Sequence, residues 1–121
     1  MPVWAEPAGV AFYPGNCRSL EKPGVWRPYL PMLILLGGSD DWTPPEDCEA
    51  LADQVKAQHA PVEWKLYPGA YHDFDTPAAP LRERSVASPT GSAHTGTDPA
   101  ARDDAVAAAT DFIAQEFAKT P

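Results

Sequence analysis

The chain has 121 residues, enough for one domain, and its 44% hydrophobic and 21% charged residues are typical of a globular protein. Acidic residues outnumber basic ones by 17 to 9, and the net charge of −8 disfavours nucleic acid and anionic membrane surfaces as partners. No apolar run approaches the roughly 20 residues of a membrane span, and residues 1–4 form neither a basic nor an apolar leader. We therefore expect a single cytoplasmic domain over residues 1–121.

The predicted elements begin with two short strands. Residues 1–8 are expected to form an irregular arm, and residues 9–13 predict a short buried strand that ends at Pro14. Residues 16–30 lack periodicity and predict a loop. Residues 31–38 are apolar at almost every position and bounded by proline and glycine, which is typical of a strand buried on both faces of a parallel sheet.

A helix and a third strand follow. Thr43 is predicted as the N-cap, Pro44 as the first helical residue and Glu46 as the partner in a capping box. Apolar residues at spacings of three and four predict one buried helix face, formed by Cys48, Leu51, Ala52 and Val55. Residues 62–67 alternate between apolar and polar side chains, which indicates a strand near an edge.

The last third of the chain predicts a long loop and a second helix. Residues 75–97 are rich in Pro, Ser, Thr, Ala and Gly, and a structureless stretch of this length in a compact domain is usually functional or mobile. Asp98 and Pro99 predict the start of an amphipathic helix. Its apolar stripe is formed by Ala105, Ala109, Phe112, Ile113 and Phe117. The order strand, strand, helix, strand, helix favours a parallel α/β fold.

Titratable residues follow the second and third predicted strands. Asp40 comes after the second strand and His72 after the third. In open parallel sheets, functional groups collect at the carboxyl ends of the strands, so we expect both side chains at one edge if these strands are neighbours. A carboxylate beside an imidazole fixes its tautomer and stabilises the imidazolium. Asp40 and His72 are therefore the predicted catalytic acid and base of a nucleophilic triad.

Three segments resemble the dienelactone hydrolase family, whose members have the α/β-hydrolase fold. The segments are Phe12-Tyr13-Pro14-Gly15, Gly37-Gly38-Ser39-Asp40-Asp41-Trp42-Thr43-Pro44 and Tyr67-Pro68-Gly69-Ala70-Tyr71-His72-Asp73-Phe74. The resemblance extends over residues 9–118 and corresponds to the C-terminal half of a family member. It implies hydrolysis of a small-molecule ester or lactone through an acyl-enzyme, with Asp40 as the triad acid and His72 as the base.

The sequence departs from that family at the nucleophile. Such hydrolases place Ser or Cys in a Gly-x-(Ser/Cys)-x-Gly turn before the acid. Ser19 has no flanking glycines, and Cys17 follows Pro14-Gly15-Asn16 without a helical pattern after it. The prediction is thus a partial α/β-hydrolase fold, with a three-stranded, mostly parallel sheet, two main helices and an open edge where the nucleophile strand would pair. An uncharged open edge predicts pairing with a second copy, as a homodimer, or with a complementing N-terminal half chain.

Three hypotheses about function remain open. The chain is a truncated or complemented hydrolase, an enzyme whose nucleophile lies elsewhere in the chain or is water activated by His72, or a non-catalytic remnant that self-associates through its open edge. A metal site built from Asp40, His72, Asp73 and His94 is disfavoured because paired-ligand spacing is absent. No cofactor is expected.

Several further residues carry narrower expectations. Asp41 is expected to face the helix cap, and His94 to be solvated in the long loop. His59 is predicted to be structural at the helix end. Cys17 and Cys48 form either a disulfide or two free thiols. Three aromatic residues line a substrate pocket or fill the core edge: Trp42, Tyr71 and Phe74.

Overall fold

The computed structural model describes residues 8–22 and 26–119. The predicted arm over residues 1–8 lies outside the described residues except for Ala8, as does part of the predicted loop over residues 16–30. The elements in chain order are β1 (Gly9–Phe12), a 3₁₀ turn (Arg18–Leu20), β2 (Met32–Gly37), α1 (Pro45–Lys56), β3 (Val62–Tyr67), β4 (Arg82–Ser85), β5 (Ser92–Thr95) and α2 (Pro99–Ala118). No helix in this part of the chain is long and apolar enough to cross a membrane.

The main sheet has the predicted parallel architecture. Its strand order is β1-β2-β3, and both pairs are parallel. Ile34 in the central strand lies opposite Ala11 on one side and Trp64 on the other. The carboxyl ends of β2 and β3 therefore lie side by side, and the far side of β1 has no partner strand within the described residues.

The central strand is buried on both faces because its side chains alternate between two cores. Ile34 and Leu36 pack with Leu51 and other residues of α1 on one face. Leu33 and Leu35 pack with the first turns of α2 on the other face. Successive side chains of a strand point to opposite faces, so a strand covered by helices on both sides must be apolar at every position. This confirms the interpretation of residues 31–38.

Helix α1 begins later than the sequence predicts. Pro44 is the cap residue, Pro45 is the first helical residue, and no side chain caps the first turn. The predicted capping box is therefore wrong. Thr43 instead turns inward, with its hydroxyl 3.1 Å from both Asp40 Oδ2 and the Tyr13 carbonyl. The predicted buried face of the helix is confirmed for Cys48, Leu51, Ala52 and Val55.

Helix α2 starts as predicted, but its apolar stripe is only partly covered. Asp98 Oδ1 accepts a hydrogen bond from Ala101 N at 3.1 Å, and Pro99 is the first helical residue. Ala105 is fully buried and Phe112 packs on the same core, whereas Phe117 is 58% exposed. A helix of 20 residues spans about 30 Å and a six-residue strand about 20 Å, so the end of α2 extends past the sheet.

The predicted long loop over residues 75–97 contains a β-hairpin. Strands β4 and β5 pair antiparallel, and the turn between them includes Gly91 at a φ of +84°. Strand β4 is exposed along its whole length, and its sequence Arg-Glu-Arg-Ser lacks apolar residues. Only β5 alternates, with Ala93 and Thr95 buried. The loop prediction failed because cross-strand pairing and one buried face of β5, not composition, stabilise this hairpin.

Candidate active site

Two loops meet at the carboxyl ends of β2 and β3. We call residues 38–44 the acid loop and residues 68–75 the histidine loop. Gly38 N donates to the Tyr67 carbonyl at 2.8 Å, and Ser39 N donates to the Ala70 carbonyl at 2.9 Å. An added Cβ on Gly37 would lie 2.6 Å from the Ala70 carbonyl oxygen. The glycine therefore permits the close backbone approach that joins the two loops.

Gly37→Ala is expected to lower the free energy of unfolding by about 1–3 kcal/mol, because the new methyl group meets backbone that cannot move aside. Urea denaturation of both proteins measures the difference. Gly9→Ala is the matched control, since its methyl group would meet the Leu30 and Met32 side chains at 3.4 Å or more. Equal losses in the two variants would contradict the role of Gly37 in loop approach.

Asp40 is a buried carboxylate with every lone-pair direction in use. It is 5% exposed. Its Oδ1 accepts hydrogen bonds from the backbone N–H groups of Trp42 and Thr43, each at 2.9 Å. Its Oδ2 lies 3.1 Å from the Thr43 hydroxyl and 2.9 Å from His72 Nδ1. These donors compensate the loss of hydration that would otherwise make burial of the charge unfavourable.

His72 lies beyond the carboxyl end of β3, and its two ring nitrogens have different surroundings. Nδ1 is bonded to Asp40, while Nε2 lies 3.9 Å from Asp73 Oδ1, beyond hydrogen-bond distance. The ionised carboxylate only accepts, so the neutral ring carries its proton on Nδ1 and its lone pair on Nε2. The rings of Tyr13 and Trp42 flank it, with centroids at 4.3 and 4.8 Å. The geometry is that of an oriented imidazole base.

Tyr13 is a further part of this constellation. Its φ of 39° lies in the left-handed region, which bulky residues seldom adopt. Its hydroxyl donates to Asp75 Oδ1 at 2.6 Å. Burial, then the hydrogen bond and charge of Asp75 and the charge of Asp73, raise the pKa of Tyr13, so the phenol stays protonated. The sequence predicts Tyr13 as the last residue of a strand. The resemblance of Phe12-Tyr13-Pro14-Gly15 to the family is the sequence signal that this residue lies near the site.

The positions of Asp41 and His94 differ from those expected. The Asp41 side chain bonds to His94 rather than to the helix cap. His94 lies on strand β5 rather than in a loop, and its side chain is 38% exposed to solvent. Asp41 Oδ2 is 2.6 Å from His94 Nδ1, and Asp41 Oδ1 accepts the His94 backbone N–H at 2.8 Å. The His94 ring packs on Tyr71, with centroids at 5.1 Å. Neighbouring carboxylates in the acid loop thus bind two different imidazoles.

The aromatic residues expected at the sheet edge divide between site and core. Trp42 lies on His72 and also lines a cavity of about 350 Å³ beside the Pro14–Arg18 segment. Phe74 is fully buried in the core. Cys17 and Cys48 form a disulfide that ties the 3₁₀ turn to α1 next to this cavity. Disulfides are typical of oxidising compartments, and the cytoplasmic location stays a prediction.

His59, the remaining histidine of the chain, lies away from the candidate site. His59 is exposed just after α1, at a φ of 66°. Within residues 8–22 and 26–119, no group of three or more His, Cys, Asp or Glu side chains is arranged to hold a metal ion.

Fold and site together define a parallel α/β protein with a carboxylate–imidazole pair at the carboxyl edge of its sheet. The family model for the dienelactone hydrolase family matches residues 5–117. The chain therefore belongs to the dienelactone hydrolase family. No curated protein matches it.

Two solved structures are similar to part of the chain. One is a thermophilic esterase from Thermogutta terrifontis with propionate bound, which is 22% identical over 57% of this chain and 34% of that one, with a TM-score of 0.49. The other is Thermogutta terrifontis esterase 2 phosphorylated by paraoxon, which is 26% identical over 56% of this chain and 30% of that one, with a TM-score of 0.47. The matched region thus spans about a third of each esterase.

Proposed function

We propose that this chain is the acid–base part of a hydrolase that cleaves small carboxylic esters or lactones. The observation that carries the proposal is the buried Asp40 carboxylate hydrogen-bonded to His72 Nδ1 at 2.9 Å. Membership of the dienelactone hydrolase family supports the same chemistry. The nucleophile would come from polypeptide outside these 121 residues, because the Gly-x-(Ser/Cys)-x-Gly turn is absent from them.

The proposed reaction uses each nitrogen of His72 differently. Nε2 accepts the proton of the nucleophile as it attacks the ester carbonyl, and Asp40 stabilises the imidazolium through Nδ1. The imidazolium then protonates the departing alcohol, which leaves an acyl-enzyme. Water, deprotonated by Nε2, releases the acid in the second half of the cycle. The rings of Tyr13 and Trp42 pack on the imidazole at tilted angles of 58° and 39°, and these contacts would limit its rotation during both transfers.

The nucleophile-bearing half would add its strand beside β1. Among the described residues β1 pairs only with β2, so one row of its backbone groups is free for another strand. Val10 of β1 lines an apolar groove together with Ala109, Ile113 and Ala114 of α2. A homodimer through this edge is the alternative prediction, and light-scattering mass of the purified chain distinguishes a dimer from a monomer that awaits its complement.

Turnover of p-nitrophenyl acetate tests the proposal. The chain is assayed alone and as a completed enzyme, which means joined to the nucleophile-bearing first half of a dienelactone hydrolase family member. We expect turnover from the completed enzyme and only background from the chain alone, since loss of the nucleophile and its oxyanion hole costs many powers of ten. A chain that forms an acyl-enzyme by itself would contradict an external nucleophile.

A further inference from the structure

Strand β5 contacts both loops of the candidate site through consecutive residues. His94 is bound by Asp41 in the acid loop. Thr95, which is buried, forms a parallel bridge with His72, and Gly96 N donates to the His72 carbonyl at 3.1 Å. One extended segment therefore holds the acid loop at one residue and the histidine loop at the next two.

The contact between His94 and the acid loop fixes the orientation of the Asp41 carboxylate. Asp41 receives two N–H donors from a single residue, the backbone N–H of His94 on Oδ1 and the imidazole on Oδ2. Hydrogen bonds to a carboxylate are roughly twice as strong as those between neutral groups, and two of them fix an orientation. Asp41 is joined by one peptide bond to Asp40, so its orientation constrains where the Asp40 carboxylate points.

We propose that Asp41 and His94 are positioning residues for the Asp40–His72 pair. They tie the acid loop to β5, which in turn holds the histidine loop, and so keep Asp40 Oδ2 in line with His72 Nδ1. This inference rests on the proposed function of the pair.

The charges around His94 make its contact with Asp41 depend on pH. We call this Asp41–His94 contact the tether. Asp41 bonds to His94, Glu83 faces it from β4, and Tyr71 packs on its ring. The hydrogen bond to Asp41 raises the pKa of His94 against the opposing effect of desolvation, and Glu83 adds to the rise. Desolvation alone would raise the pKa of Asp41, but the bonds from His94 outweigh it and lower that pKa.

The raised pKa of His94 and the lowered pKa of Asp41 set the pH range in which the two side chains form an ion pair. Since the folded pKa of His94 lies above the unfolded value, the ionic tether is intact at and below about pH 6.5 and weakens as the pH rises through the raised pKa. Since the folded pKa of Asp41 is lowered, the tether is lost on the acid side only when the pH falls through that lowered value.

The test is solvent exchange of the His72 Nδ1 proton, followed by NMR in the 121-residue chain. His94→Leu removes the imidazole but leaves the His94 backbone N–H on Asp41, so the hairpin stays attached. We expect exchange of the His72 proton to accelerate about tenfold. His94→Asn, which restores a donor near the position of Nδ1, should recover most of the protection. The control His59→Asn alters an exposed histidine in a backbone conformation that Asn tolerates.

Asp41→Asn supplies the pH readout and a second variant should His94→Leu fail to fold. The ratio of its His72 exchange rate to that of the wild type should be largest near about pH 6. It should fall as His94 loses its charge, because the neutral imidazole keeps only a neutral hydrogen bond to Asp41. Unchanged exchange in folded His94→Leu, or in Asp41→Asn at every pH, would overturn the positioning role alone. A wild-type chain without any protected Nδ1 proton on His72 would overturn the Asp40–His72 pair and the proposed function with it.

Discussion

Asp40→Asn in the completed enzyme is expected to lower kcat on the order of 10⁴-fold while the fold is kept. The amide nitrogen of Asn would donate to His72 Nδ1, so the ring proton would move to Nε2 and the base would face the nucleophile in the wrong tautomer. His72→Ala removes the base itself and should cost at least as much, on the order of 10⁴-fold or more. Initial rates with p-nitrophenyl acetate at saturating substrate measure both losses.

Matched controls separate this chemical effect from a general loss of charge or of imidazole. Asp111→Asn changes an exposed carboxylate on α2, and His59→Asn changes an exposed imidazole. Both should leave kcat within about twofold, because neither residue touches the site. Full activity in Asp40→Asn or His72→Ala would disprove their assignment as triad acid and base.

Phe74→Ala is expected to lower the free energy of unfolding by about 3–5 kcal/mol. The side chain is fully buried, with its ring 5.5 Å from that of Tyr13 and 5.4 Å from that of Tyr67. Truncation would leave a cavity in the core between the sheet and α2 that these rings cannot close without moving. Urea denaturation at constant pH gives the change from the midpoint and slope.

The same substitution in an exposed phenylalanine is the comparison for this measurement. Phe117 is 58% exposed near the end of α2, and Phe117→Ala should change stability by no more than about 0.5 kcal/mol. A loss in Phe74→Ala as small as that in Phe117→Ala would show that the aromatic cluster of Phe74, Tyr13 and Tyr67 does not support the fold.

The Asp40–His72 contact could be predicted from the sequence because it depends on only two structural features. Each residue follows an apolar strand, and parallel neighbouring strands place their carboxyl ends together. The contact is observed at 2.9 Å. Tyr13 and Thr43 were not predicted as parts of the site, because their roles depend on a left-handed φ at Tyr13 and on the inward turn of Thr43. Neither feature has a periodic signal in the sequence.

The sequence by itself determined the parallel sheet, its two helices and the edge where the Asp40 carboxylate and the His72 imidazole meet. The reason is that burial on two faces requires a strand apolar throughout, and apolar residues at helical spacing predict the flanking helices. Only the tertiary structure decided the β4–β5 hairpin, the disulfide and the Asp41–His94 pair. Asp41 and His94 are 53 positions apart, and their contact exists because β5 packs across both loops, a placement that local composition does not encode.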